Sequence, residues 1–332
     1  MPFTGNANFI GAAAVAIEQR VESDWSMVWT QGHPIVTIIH HNRLNFNRGF
    51  SISGTAMILP VIGDDQATPV AGVATGAPET VAMAYNITDP LSQFKFNFAH
   101  YRGNYTIRES EARMLMNGAR GNLLEAKKSN LLASWRNALS GHLSSTTADA
   151  ADNSRVLGVY QPLSVANTVG GISQAVDTQI QAYVKTGAGP FALELIEDAV
   201  DQIGSKKNEQ RDKEPDVVLA SISSTNNVYG KYRSAIAPAE RYVNKDFSVR
   251  YGLKNFVHMG LMVVKDQRIA NTLNGSCAIL ASSTWYAYID RKPKFGEPQR
   301  IPGTDAKEFV ATAWAAVGTN DPGLNGLVRD IS

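Results

Sequence analysis

A long stretch from Arg48 to Tyr101 is patterned for extended chain and supplies no core of its own. Val81, Met83, Tyr85 and Ile87 alternate with Thr80, Ala82, Ala84, Asn86 and Thr88, and Phe94, Phe96 and Phe98 alternate with Lys95, Asn97 and Ala99. Ile52 to Leu59 adds a third apolar run. Alternation with a period of two predicts strands with one apolar face. The intervening GDDQATPVAGVATGAP is rich in Gly, Pro, Ala and Thr, as a loop tip is. An isolated hairpin is marginal in water, so one this long has to lie on something, either its own chain or a neighbouring subunit.

The rest of the chain is long enough to provide such a support. With 332 residues and 44% hydrophobic content it can bury a large core. Only 18% of residues are charged, below the usual quarter or so, which suits a surface largely taken up by contacts. The net charge of +1 gives the whole chain no affinity for polyanions. One cysteine, Cys277, excludes an internal disulfide and a cysteine-based zinc site. The N-terminus lacks the basic start of a signal peptide, and no apolar run reaches membrane-spanning length. A soluble protein folding in a reducing compartment is expected.

Before the extended stretch, residues 8–30 predict a helix and Ile35–Ile39 a strand. After it the period changes. Ile107, Met114, Leu115, Leu124, Leu131, Leu132, Trp135 and Leu139 suit one face of a long helix. Thr106 with Glu109 forms a candidate capping box, and Gly141 a stop. A polar linker, SSTTADAADNS, follows. The second half alternates strand and helix. It contains a helix over 191–203 with Pro190 in its first turn and Gly204 at its end, and strands over Val217–Ile222, Val257–Val264, Ala278–Ala281 and Tyr286–Ile289. A capped helix follows Ser223 or Ser224. The C-terminus predicts a long strand, a turn and a short return strand.

Motifs for chemistry are missing. None of the six histidines stands in a metal-ligand spacing. Gly187 and Gly189 are not followed by a phosphate-binding pattern, and no nucleophile elbow is present. Tyr229, Lys231 and Tyr232 are not spaced to share a helix face as a catalytic pair. No catalytic residue, metal or cofactor is expected.

The segments TVGGISQA (168–175), FALELIEDAVDQI (191–203) and PDVVLASISSTNNVYGKYRSAIAPAERYV (215–243), with the ending VATAWAAVGTNDPGLNGLVRDI, resemble the major capsid proteins of tailed bacteriophages. The order of arm, extended loop, long helix, α/β region and closing strand is similar to that family's order across most of the chain. The resemblance implies the Hong Kong 97-type fold, α+β (mixed α/β) in class. It assigns residues 1–44 to an N-terminal arm and 45–105 to the extended loop (E-loop). Residues 106–184 and 300–332 would be a peripheral domain with its spine helix, and 185–299 an axial domain. The implied function is a structural one: self-assembly into pentamers and hexamers of an icosahedral shell around double-stranded DNA, built in the host cytoplasm. Its expected partners are copies of itself, a separate scaffolding protein, a portal, a decoration protein where one exists, and DNA held without sequence preference.

On this reading the hairpin's apolar face is buried against a neighbour. Arg48, Asp64, Asp65, Glu79, Phe94, Phe96 and Phe98 are the candidate inter-subunit contacts. No lysine lies between Arg48 and Lys95, so the isopeptide cross-link that some members make from this loop is not expected. The short span before the extended loop is not expected to hold a fused scaffolding segment, so either the scaffold is a separate protein or the chain is a processed form, and the initial Met favours the former. An encapsulin-type compartment shell is the alternative within the fold. A soluble α/β enzyme built on residues 185–290 is the alternative from another class.

Overall fold

A computed structural model of the chain describes residues 33–42, 45–61, 93–108, 110–111, 120–146, 155–189, 194–207, 211–220, 255–258, 260–266, 275–290, 294–297 and 299–330. The helix expected over 8–30, the strand over 81–88, the helix after Ser223 and Pro190 lie outside these residues.

In chain order the described elements are α1 (Pro34–Asn42), β1 (Ser51–Ser53), β2 (Ala56–Pro60), β3 (Gln93–Asn97), β4 (Ala99–Arg108), α2 (Arg120–Leu143), β5 (Thr168–Val169), β6 (Ile172–Ser173) and β7 (Tyr183–Lys185). They continue as α3 (Glu194–Gly204), β8 (Val217–Ala220), β9 (Asn255–His258), β10 (Leu261–Lys265), β11 (Cys277–Leu280), β12 (Trp285–Ile289), β13 (Lys294–Phe295), β14 (Gln299–Arg300), β15 (Ala306–Thr319) and β16 (Gly326–Val328).

Two sheets organise the molecule. One has the order β7-β16-β11-β8-β10-β9. Its residues pack alternately into two cores: Val217, Leu219, Ala278 and Leu280 face one, and Val218, Ala220, Cys277 and Ile279 face the other, where Ile196, Ala199 and Ile203 of α3 meet them. The second sheet is built on β15, which pairs antiparallel with all of β4 on one side and with β12, β13 and β14 on the other. Helix α2 covers one face of it, burying Leu132, Trp135 and Leu139 against Tyr101, Ala311 and Ala313. Gly103 is small because a Cβ there would come within 2.3 Å of Leu131 Cδ1.

Five sequence expectations are corrected. The run Ile35–Ile39 is helical. All of residues 33–39 are buried, so there was no exposed face to reveal a period. Pro34 opens the helix, and His33 Nδ1 accepts the Ile35 N–H at 3.3 Å. Thr106 is no helix cap, because it lies in β4 opposite Glu308. A ten-residue ladder outweighs a local capping signal there. The run Ile52–Leu59 breaks at Gly54 (φ +59) into the β1–β2 hairpin, and Val257–Val264 breaks at Gly260 (φ +80) into β9 and β10. Finally, β16 does not return to β15. It crosses into the six-stranded sheet between β11 and β7.

Strand pairing also crosses the boundaries expected at 184/185 and 299/300. Strand β12 pairs with β15, and β16 pairs with β11.

Candidate assembly surface

The described foot of the extended loop is the three-stranded sheet β1-β2-β3. Its entry is pinned to β12: Phe46 bridges to Ala287, and the Asn47 side chain donates to Ile289 O at 3.1 Å and accepts from Ile289 N at 2.9 Å. Asn47 and Gly49 both take positive φ (53° and 78°), which turns the chain outward and leaves Arg48 exposed. Arg48 makes no ion pair among the described residues.

Phe94, Phe96 and Phe98 are buried within the chain itself, with Met57, Leu59, Val169, Ile180 and Ala316. Phe96 sits so close over Gly318 that a Cβ there would fall 2.3 Å from its ring, and a Cβ on Gly170 would fall 2.7 Å from Phe94 Cβ. At this foot the apolar face is therefore covered by its own subunit, contrary to the expectation that it waits for a neighbour. Asp64, Asp65 and Glu79 lie outside the described residues.

The foot packs on the Trp314–Gly318 end of β15 and on Tyr286 and Tyr288 of β12. Further along, β4 turns His100, Arg102, Asn104, Thr106 and Arg108 outward, all exposed. Register places His100 opposite Trp314, Arg102 opposite Thr312, and Lys294 on the other side of Thr312. The His100 and Trp314 rings stack at 4.2 Å. Asn104 donates to Glu308. Arg102 and Lys294 are exposed cations that form no ion pair among the described residues, while Arg108 stands beside Glu111, which accepts its backbone N–H at 3.1 Å and feels its charge. Sequence reasoning missed this face. The alternation of AHYRGNYTIR was its only local signal.

Two buried polar networks were also missed. In the first, His33 Nε2 donates to Ser144 Oγ at 3.1 Å, and Ser144 Oγ donates to the Asp266 carboxylate at 3.1 Å. Tyr160 OH donates to the same carboxylate at 2.8 Å, and burial, with that carboxylate beside it, holds the Tyr160 phenol well above its ordinary value. The residue types match a nucleophilic triad, but the hydrogen bonds run the wrong way. Since Nδ1 accepts a backbone N–H, the ring proton is on Nε2 and cannot leave room for the serine's proton, which is given to Asp266 instead. A serine activated by histidine needs the reverse. All four side chains are buried. The network ties the start of α1, the end of α2, the 160 turn and the end of β10 together.

The second network holds the crossing between the two sheets. Asn325 Oδ1 accepts from Ala281 N at 3.0 Å and from Trp285 Nε1 at 3.1 Å, while its Nδ2 donates to Asp321 O at 2.7 Å. Asp321 Oδ1 accepts the Gly323 N–H at 3.0 Å. Arg211 Nε lies 3.3 Å from Asp321 Oδ2, and both side chains are buried. Burial pushes the Asp321 carboxyl up to about 6, against the opposing pull of Arg211, the Gly323 and Leu324 N–H groups and Lys206.

Among the described residues, no group of three or more histidine, cysteine or acidic side chains could hold a metal, and no helix is long and apolar enough to cross a membrane.

No family model matches the sequence, and no curated protein matches it. Solved structures do share the architecture. A chain of the cyanophage A-1(L) capsid asymmetric unit is similar with a TM-score of 0.58 and 13% identity, over 88% of this chain and 92% of that one. A chain of the capsid of an empty GTA particle is similar with a TM-score of 0.53 and 12% identity, over 85% and 87%. A chain of Mycobacterium phage Adephagia is similar with a TM-score of 0.50 and 11% identity, over 86% and 88%. The chain thus has the α+β fold of phage capsid subunits. Among such folds it resembles the Hong Kong 97-type major capsid proteins of tailed phages.

Proposed function

We propose that this chain is the major capsid protein of a tailed bacteriophage, a structural subunit that assembles into an icosahedral shell. The observation that carries this is the whole-length likeness. The fold follows the cyanophage capsid chain over 88% of this chain and 92% of that one, and the functional reading is an analogy drawn from that shared fold. The extended loop supports it: its foot is anchored on the chain's own core, and the sequence between the two anchored ends, residues 62–92, is acidic.

On this reading residues 1–44 are the N-terminal arm, 45–105 the extended loop, 106–184 with 300–332 the peripheral domain and 185–299 the axial domain. The subunit forms pentamers and hexamers, encloses double-stranded DNA without reading its sequence, and works with a separate scaffolding protein, a portal and a decoration protein where one exists. It assembles in the host cytoplasm and ends in the virion. The work is assembly and needs no cofactor.

The test is electron microscopy of the full chain expressed alone and with a candidate scaffold, followed by nucleic-acid assay of purified particles. Closed shells of uniform size are expected. Shells filled with a protein cargo and free of nucleic acid would reassign the chain to a compartment shell. Dispersed monomers under both conditions would overturn the shell reading.

A further inference from the structure

We propose that residues 22–30 of the same chain add a strand to the open edge of β4, antiparallel to it, and so extend the five-stranded sheet within one subunit. The inference concerns the dispersed subunit and stands apart from the shell reading.

Hydrogen bonds on the far side of β15 identify the edge. Asp290 N donates to Trp314 O at 2.9 Å, Gly296 N to Val310 O at 2.7 Å and Ile301 N to Ala306 O at 3.0 Å. The even-numbered residues of β15 therefore turn their backbone groups toward β12, β13 and β14, and the odd-numbered ones turn theirs toward β4. Register sets those odd residues against the odd residues of β4, Ala99 to Ile107. The even residues of β4 point their N–H and C=O groups the other way, where no strand pairs with them. One end of this edge is met by side chains: Lys127 donates to Thr106 O at 2.6 Å, and Glu111 accepts from Arg108 N at 3.1 Å. The edge-facing backbone groups of His100, Arg102 and Asn104 have no partner among the described residues. A long open edge is a template for another strand, and native proteins cover such edges.

The place where the described chain begins selects the occupant. His33 bonds to Ser144, two residues past His142, whose Nδ1 lies 3.0 Å from Tyr101 OH. Lys127, toward the other end of α2, reaches Thr106. Helix α2 thus runs antiparallel to β4, and the N-terminal segment joins the fold at the His100 end of the edge. Traced back from His33 toward Arg108, that segment runs opposite to β4. His100 to Arg108 spans roughly 27 Å, the length of a nine-residue extended segment.

The sequence fits this track. In ESDWSMVWT (22–30), Trp25, Met27 and Trp29 alternate with Asp24, Ser26, Val28 and Thr30. These residues close the span expected as helix, and the open backbone groups of β4 favour the strand. With Thr30 opposite His100, Gln31 and Gly32 make the link from His33. Trp25, Met27 and Trp29 then fall opposite Tyr105, Gly103 and Tyr101 on the face that α2 covers, where Leu131 over Gly103 is only half-buried. Glu22 falls opposite Arg108 and Ser26 opposite Asn104. A slip of one residue would move both tryptophans to the polar outer face.

Residue-resolved hydrogen exchange on dispersed full-length subunits tests this, because the odd amides of β4 report on β15 and the even ones on the added strand. Protection is expected at Arg102 and Asn104 as well as at Tyr101, Gly103 and Tyr105. Ser26→Pro removes the N–H that faces Asn104, so Arg102 and Asn104 should then exchange at least about tenfold faster. Tyr101, Gly103 and Tyr105 should stay protected, which also shows that the variant is folded. Unprotected Arg102 and Asn104 in the unmodified chain would overturn the proposal. So would protection that survives Ser26→Pro, since another segment then covers the edge. If the proline variant fails to fold, Ser26→Cys/Asn104→Cys carries the test: the paired positions lie about 5.5 Å apart, within disulfide reach. Oxidation by diamide should close the bond within one chain. A bond formed only between chains would assign the edge to a second copy, and no bond would remove the pairing; either result overturns the proposal.

Discussion

The two sheets solve burial in different ways. In the six-stranded sheet, β8, β10 and β11 are apolar at every described position apart from Lys265, because alternate residues enter two separate cores. Continuous apolar strands are what a sheet covered on both faces requires. In the five-stranded sheet, β4 and β15 alternate. Tyr101, Tyr105, Phe309 and Ala313 are buried, while Arg102, Asn104 and Val310 are exposed or half-buried. One sheet is complete within a single chain, and the other keeps a polar face. A subunit that must be rigid and yet join others needs both kinds, and the junction through Trp285, Asp321 and Asn325 fixes one relative to the other.

The comparison is broken most severely at that junction. Trp285 is fully buried, and its indole N–H is held by Asn325. Trp285→Ala should cost about 3–5 kcal/mol in unfolding free energy, measured by denaturant titration of dispersed subunits. A loss below about 1 kcal/mol would mean the sheets are held together elsewhere. A smaller effect is expected where the loop foot meets the five-stranded sheet. The Cβ of Gly318→Ala would meet the Phe96 ring at 2.3 Å. Overpacking of this kind costs about 1–3 kcal/mol, and protease sensitivity near Phe96 should rise with it.

Asp321 adds a pH term to the same junction. Its carboxyl is raised to about 6 in the folded chain from an ordinary 3.8. The folded state therefore holds the proton more tightly than the unfolded state. The stability this contributes is full below about 4 and is lost as pH rises through about 6. The melting temperature of dispersed subunits should accordingly gain, from this residue, the equivalent of on the order of 1–2 kcal/mol between pH 7 and pH 5. Asp321→Asn should remove that gain. An identical pH profile for the variant would show that another group controls it.

Much of the first sheet was legible in sequence because its signals are local. The stripe of Ile196, Ala199 and Ile203 gave α3, and the apolar runs gave β8 and β11 within a residue or two. Where the signal was non-local, reading failed. Thr106 and Glu109 offered a good local cap, but Thr106 pairs with Glu308, far away in the chain. Ile35–Ile39 is apolar throughout and buried throughout, so period could not separate strand from helix. At the candidate surface, the alternation of Phe94, Phe96 and Phe98 correctly gave a strand but could not say which subunit covers it. Arg102 and Lys294 are neighbours across Thr312 only through two strand pairings. No window of sequence contains both.

The smallest effect on folding sharpens the comparison most. Arg102 is exposed and forms no ion pair among the described residues, so Arg102→Ala should change subunit stability by no more than about 0.5 kcal/mol. The equivalent truncation in the closed sheet, Leu219→Ala at a fully buried position, should cost about 2–5 kcal/mol. If the open face is there for contact, the order reverses in assembled particles. Arg102→Ala should then lower the salt concentration at which shells dissociate, since exposed charge pairs are screened by salt, while leaving the melting of dispersed subunits unchanged. An Arg102→Ala chain that loses folding stability and keeps its shell salt tolerance would place Arg102 in the subunit's own packing, and the division between a closed sheet and an open one would fail at its central residue.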